Sequence, residues 1–194
     1  MANDFRSARW WAAELVDRAL YEGAVAVDAT LGNGHDTLHL CERVGESGKV
    51  YGFDVQESAV MNSCARLKEN GFEDRATLIH DGHQNMEKYL EPDSADVVLF
   101  NLGWLPGAEH GITTLVPTTI TAVNAALRVL KEDGILTVCI YPGHAEGARE
   151  RDALIEWAKQ VDPHSFDTML RCYLNQENDP PLLLAVHKMK RKKK

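Results

Sequence analysis

The feature that most limits what this chain can fold into is a set of short, uniformly apolar runs separated by longer stretches with helical periodicity. The runs fall at 24–27, 49–53, 76–79, 95–100 and 134–140, and segments such as VVLF and ILTVCI are apolar throughout instead of alternating. Strands that read this way are buried on both faces, and such strands alternating with helices build a parallel sheet. The intervening pattern predicts helices over 35–44, 57–70, 84–90, 117–131 and 146–161. Pro117 suits a first helical turn, and Gly71 and Gly134 fall where helices should stop. Ahead of them, Trp11, Leu15, Val16 and Ala19 recur at helical spacing among acids and arginines, which predicts a leading amphipathic helix within 1–20.

The rhythm changes near the end. Two strand-like runs, 165–174 and 181–189, have only the turn-rich segment 175–180 between them, so a hairpin is the expected connection. Five βα units closed by an antiparallel pair is the order of the class I methyltransferase sheet: seven mostly parallel strands arranged 3-2-1-4-5-7-6 in a Rossmann-like α/β layer with helices on both faces. A dinucleotide dehydrogenase would more often continue with a sixth parallel strand or a second domain. No linker or repeat divides the 194 residues, so a single domain over 1–187 is expected.

Charge and cysteine content remove several classes. Lys and Arg number 21 against 29 Asp and Glu, and six of the basic residues lie within 188–194, leaving 15 against 29 for the body. The basic end reads as a disordered tail, and an acidic body argues against an extended nucleic-acid footprint. Cys41, Cys64, Cys139 and Cys172 form no CxxC pair, so free thiols and no metal site are expected. There is no apolar run of about eighteen residues, and the opening residues carry charges where a signal peptide would be apolar. The expectation is a cytoplasmic protein without a membrane partner.

The first strand runs into Val27-Asp28-Ala29-Thr30-Leu31-Gly32-Asn33-Gly34-His35-Asp36-Thr37. Gly32 and Gly34, around Asn33, let the backbone turn sharply beside a helix start whose N–H groups are unpaired, as in a nucleotide-cofactor loop. Thr37 stands where a dinucleotide fingerprint would have its third glycine, which disfavours a pyrophosphate cradle. Asp54 ends the second strand and can accept hydrogen bonds from two ribose hydroxyls, with Val55 and Gln56 following to cover an adenine face. The third strand closes on Ile79-His80-Asp81-Gly82-His83, where Asp81 could accept from an adenine amino group while Gly82 permits close approach; a plain turn acid before glycine is the alternative. Asp28 is expected beneath the methionine part of S-adenosylmethionine, its carboxylate matching an ammonium or sulfonium charge that a pyrophosphate lacks.

The fourth strand ends in Asn101-Leu102-Gly103-Trp104-Leu105-Pro106-Gly107. An amide at a strand's carboxyl end, then a tight turn and an aromatic, resembles the Asn-Pro-Pro-Tyr motif of amino-group methyltransferases, with Leu102 and Gly103 in place of the prolines. There the Asn oxygen accepts an N–H from the target amine and aims its lone pair, while the aromatic stacks on the base. The fifth strand brings Tyr141 and His144 to the same edge as a substrate wall. His83 and His144 both remain open as groups that orient the amine or relay its proton. Trp10 and Trp11 of the leading helix suit three roles: covering the sheet, meeting a second subunit in a homodimer, or bordering substrate.

Together, DATLGNGHDTLHL at 28–40, GFDVQ at 52–56, NLGWLPG at 101–107 and YPGHAEGARE at 141–150 resemble a bacterial family first labelled rRNA methylases and associated with tRNA wobble-uridine modification. The resemblance spans roughly 24–189. It implies S-adenosylmethionine as cofactor, a tRNA anticodon as partner, and methylation of the aminomethyl group of 5-aminomethyl-2-thiouridine. By motif position it implies cofactor roles for Asp28, Gly32, Gly34, Asp54 and Asp81 and a substrate role for Asn101. Trp104 stands where family members often carry Tyr. Other readings keep the fold with an rRNA or small-molecule amine as acceptor, or make it a non-catalytic nucleotide- or RNA-binding adaptor.

Overall fold

In the computed structural model, which describes residues 6–103 and 113–190, the chain opens with helix α1 (Ala8–Ala19) and then alternates: β1 (Val25–Asp28), α2 (His35–Val44), β2 (Lys49–Asp54), α3 (Glu57–Glu69), β3 (Ala76–His80), a 3-10 helix (His83–Lys88), β4 (Ala95–Asn101), α4 (Val116–Val129), β5 (Leu130–Ile140) and α5 (Ala145–Gln160). β6 (Phe166–Arg171) and β7 (Leu182–Lys188) follow as the expected hairpin. The seven strands form one sheet in the order β3-β2-β1-β4-β5-β7-β6. The first five are mutually parallel, while β7 runs antiparallel to β5 and β6.

The uniformly apolar strands are explained by their neighbours. Successive side chains of a strand point to opposite faces, so Val27, Val98 and Phe100 join one apolar cluster with α4 and α5 residues such as Val123 and Leu154. Ala26, Val97 and Leu99 join the other, with Val16 of α1 and Leu40 and Val44 of α2. Phe53 and Phe100 are 0% and 1% exposed, and each contributes roughly 1.5–3 kcal/mol by leaving water. Asp96, at the opposite end of the sheet from the site, is buried but fully used: it accepts from Val25 N–H at 2.8 Å, Tyr21 O–H at 3.0 Å and Lys131 Nζ at 2.7 Å.

The leading helix covers the sheet. Ser7 caps it by accepting from Trp10 N–H at 3.2 Å, and Ala8 and Ala12 pack with Cys139 of β5 and Leu183 of β7. The Arg171 guanidinium lies 3.6 Å above the centre of the Trp11 ring.

Three expectations shift. Helix α4 ends at Val129, and the chain enters β5 at once; Asp133 takes the left-handed turn at φ 64°, and Gly134 is needed because a Cβ there would lie 2.8 Å from Lys131 O, not to stop a helix. The 84–90 helix is a 3-10 helix. Lys188, assigned to the tail, is the last residue of β7, and its ammonium donates to Asp93 at 2.6 Å and to Leu130 O at 2.5 Å. Lys190 pairs with Asp133, while 191–194 lie outside the described residues. Among the described residues, no helix is long and apolar enough to cross a membrane.

Candidate functional site

The carboxyl ends of β1, β2, β4 and β5 border a cavity of about 770 Å³, within the size usual for small-molecule sites. Its first wall is the loop between β1 and α2. Gly32 and Gly34 have φ of 53° and 73°, a region most side chains avoid, and a Cβ on Gly34 would also sit 2.7 Å from Ser63 Oγ. The loop is tied down by Leu31 N–H to Phe53 O at 2.9 Å, Ser63 Oγ–H to Gly32 O at 3.1 Å and Arg66 Nε–H to Asn33 O at 2.7 Å.

Asp54 closes that wall. Its carboxylate accepts from Gly32 N–H and from Gln56 N–H, each at 2.9 Å, and still borders the cavity. An ionised carboxylate has about four acceptor positions, so two remain for hydroxyl donors. Phe53, Val55, Gln56 and His83 line the same end, as does Gln84, and Val55 is 57% exposed, open to cover a flat ring.

Two predicted carboxylates are placed elsewhere. Asp28 is 0% exposed and does not reach the cavity; it accepts from Thr30 N–H at 3.1 Å and Thr37 O–H at 2.6 Å, holding the loop from below. Burial, aided by the Asp36 charge, pushes its carboxyl up to about 7. Among the described residues, the carboxylates that border the cavity are Asp36 and Asp54. Asp81 is likewise not in the lining: it accepts from Gly82 N–H at 2.7 Å, Asn85 Nδ2 at 2.8 Å and Tyr89 O–H at 3.1 Å, and these bonds, Asn85 foremost, hold its carboxyl below the usual range. These three bonds build its turn and leave about one of its four acceptor positions open. Gly82 and Gly34 also shape their turns without lining the cavity.

The opposite wall carries Asn101, Tyr141 and His144 as expected, together with Arg9, Thr30, Asp36, Leu102 and Thr114. Asn101 is fixed at both ends: its N–H donates to Thr30 Oγ1 at 2.7 Å, and its side-chain Nδ2 donates to Asp36 Oδ2 at 2.8 Å. The other Asp36 oxygen takes Arg9 Nη2 at 2.7 Å.

The two histidines differ. His83 Nδ1 lies 3.0 Å from Ala29 O, an acceptor only, so Nδ1 carries the proton and Nε2 the lone pair; burial lowers its pKa, keeping it neutral. His144 Nδ1 accepts from Gly147 N–H at 3.2 Å as the cap of α5, so the neutral ring holds its proton on Nε2 and offers substrate no lone pair.

Trp104 lies outside the described residues, but Gly103 and Thr114 on either side do not. Gly103 N–H donates to Thr114 Oγ1 at 2.9 Å, and Thr114 N–H donates to Gly103 O at 3.2 Å. Buried Glu150 of α5 then accepts from Thr114 Oγ1 at 2.7 Å and Thr119 Oγ1 at 2.6 Å. Burial raises the Glu150 carboxyl, against the pull of those two hydroxyls.

A family profile described as "Putative rRNA methylase" matches residues 50–187. The chain belongs to that family. A chloroplastic tRNA (mnm(5)s(2)U34)-methyltransferase of Arabidopsis thaliana is 34% identical over 148 residues, covering 71% of this chain and 54% of that protein. The chain therefore spans about half that relative's length. A structure described as a putative rRNA methylase from Clostridium thermocellum superposes with TM-score 0.94 at 40% identity, covering 96% of this chain and 100% of its own. A putative methyltransferase from Streptococcus mutans, in complex with SAH, gives TM-score 0.86 at 35% identity over 95% of this chain and 99% of its own.

Arg9, Thr30 and Gln84 were not singled out by the sequence as site residues, and Asp36 stood in the quoted loop without a role. A first-turn acid such as Asp36 is ordinary for a helix start, and no local pattern announces that Arg9 reaches it.

Proposed function

We propose that the chain is an S-adenosylmethionine-dependent N-methyltransferase acting on the aminomethyl group of 5-aminomethyl-2-thiouridine at the tRNA wobble position, within a single domain over 1–187. The observation that carries this reading is the Asn101 carboxamide: one N–H of its nitrogen is held by Asp36, which turns its carbonyl oxygen away from that carboxylate and leaves it to accept an N–H in the cavity that Asn101 lines. Support for a nucleoside-bearing cofactor comes from Asp54, whose two spare acceptor positions suit ribose hydroxyls, and from Val55 and Phe53 beside it. The SAH-bound relative and the tRNA methyltransferase relative support the same reading.

When bound, the cofactor supplies a methyl group on a positively charged sulfur, open to in-line displacement. The chain's own residues position the acceptor. The amine docks neutral, since a protonated amine has no lone pair; of the histidines that line the cavity, His144 has its Nδ1 lone pair taken by Gly147 N–H, and burial makes His83 a weaker base. Asn101 Oδ1 accepts one amine N–H and turns the lone pair towards the methyl group. Tyr141, Leu102 and Leu115 wall that end and limit water. Asp54 places negative charge at a cavity that would take a cationic donor, while the Asp36 charge is offset by Arg9.

A second reading retains the chemistry with an rRNA amine as acceptor, favoured by the family's description. Purified protein incubated with labelled S-adenosylmethionine and, in separate reactions, rRNA and tRNA with or without the aminomethyl group separates them. Label recovered as the methylaminomethyl nucleoside, only from tRNA bearing the precursor, is the expected result. Label in rRNA and none in tRNA would replace the first reading with the second.

A further inference from the structure

We infer that Asp36, held by Arg9 of the leading helix, is a positioning residue that sets which way the Asn101 carboxamide faces, an inference that rests on the amine-directing reading of Asn101 above. The oxygen and nitrogen of a carboxamide are nearly the same size, so an unconstrained Asn can turn over and exchange an acceptor for two donors. At this site the exchange is destructive. An N–H turned towards the substrate amine would bond to the lone pair that has to attack.

A carboxylate prevents it because it only accepts. Asp36 Oδ2 can be satisfied by Asn101 Nδ2, at 2.8 Å, and not by Oδ1, so the carbonyl oxygen is turned away from Asp36. Arg9 Nη2, at 2.7 Å from Asp36 Oδ1, stops the carboxylate from swinging out, and Thr30 Oγ1, at 2.7 Å, fixes the Asn101 backbone. The Arg9 and Asp36 side chains are 55% and 31% exposed, so their ion pair adds little to stability and can be altered without unfolding the protein.

The test uses Asp36→Asn, Arg9→Ala, Arg9→Lys, Asn101→Ala and the Asp36→Asn/Asn101→Ala double variant of the full chain. Turnover is measured with tRNA carrying the aminomethyl nucleoside, SAH affinity by calorimetry, and the Asn101 carboxamide protons by ¹⁵N NMR of the SAH-bound protein. Asn at position 36 offers either a donor or an acceptor, so Asp36→Asn should lower kcat roughly 30-fold while KM for tRNA and Kd for SAH stay within about threefold. Arg9→Ala should cost about 5- to 10-fold in kcat, with Arg9→Lys restoring most of it. The double variant should be no slower than Asn101→Ala alone. The Asn101 carboxamide signals should move in Asp36→Asn, a readout that needs no substrate.

Normal turnover by Asp36→Asn beside a slow Asn101→Ala overturns the orienting role alone. So does a loss matched by weaker SAH binding, or an unmoved Asn101 signal. Normal turnover by Asn101→Ala overturns instead the amine-directing reading.

Discussion

The two walls of the cavity are built in different ways. The wall formed by Gly32 and Asp54 is a turn with positive-φ glycines whose backbone groups are tied to neighbouring elements, as where Gly32 N–H donates to the Asp54 carboxylate across 22 residues of sequence. The wall around Asn101 is assembled by side chains from distant elements: Asp36 to Asn101 spans 65 residues and Thr30 to Asn101 spans 71. A backbone turn can be specified by a few adjacent letters, whereas a side-chain relay exists only after α1, α2 and β4 have packed. The first should fail as binding or folding, and the second as turnover.

The largest expected effect would break that division if it went the wrong way. Asn101→Ala should cut kcat roughly 100- to 1,000-fold, the range typical for losing one preorganised polar contact at a reacting centre. The Kd for SAH should change less than about threefold; a comparable loss of SAH binding would merge the two walls into one. Asp54→Ala is the counterpart, and should weaken SAH by about 100-fold in calorimetry, because two acceptors are lost and the Gly32 and Gln56 N–H groups lose their partner.

Gly34→Ala tests the backbone itself. With φ at 73° and a Cβ only 2.7 Å from Ser63 Oγ, the change should destabilise the fold by about 2–3 kcal/mol in denaturant titration. An unchanged midpoint would mean the turn is less demanding than it looks.

The smallest effect concerns Asp28, which supports both walls through Thr30 and Thr37. Its folded pKa, about 7, lies above the ordinary 3.8, so the folded protein keeps a proton that the unfolded chain releases. That contribution is fully present below about pH 4 and is lost as pH rises through about 7. Asp28→Asn should therefore flatten the fall in stability over this window, by roughly 1–2 kcal/mol between pH 5 and 7. A variant whose stability still falls as steeply would assign the slope to another group.

The same contrast explains what could be read in advance. The parallel sheet followed from uniformly apolar runs, because burial on both faces gives that pattern, its order followed from five βα units closed by an antiparallel pair, and α2 was legible to the residue, with Gly34 and Gly45 bracketing it. Gly32, Asp54, Asn101, Tyr141 and His144 reach the cavity because each sits at or just beyond a strand's carboxyl end, where parallel sheets gather their loops. Asp28 is buried beneath the loop and outside the lining, and alternation held the clue. It shares a face with Ala26, which packs under α2, so its carboxylate turns to Thr37 and not to the opening. Asp81 satisfied a positional pattern but was claimed by Asn85 and Tyr89, whose geometry depends on a 3-10 turn that the letters do not announce. Arg9 was invisible because its importance comes from where α1 lands on the sheet.

Glu150 has a consequence for the edge of the cavity. By gripping Thr114 and Thr119 from α5, with Thr114 clasping Gly103 in turn, it ties the end of β4 and the start of α4 to one buried carboxylate. Three elements thus share a single anchor, and a change at that one acid would be felt at the rim where Gly103 and Thr114 stand.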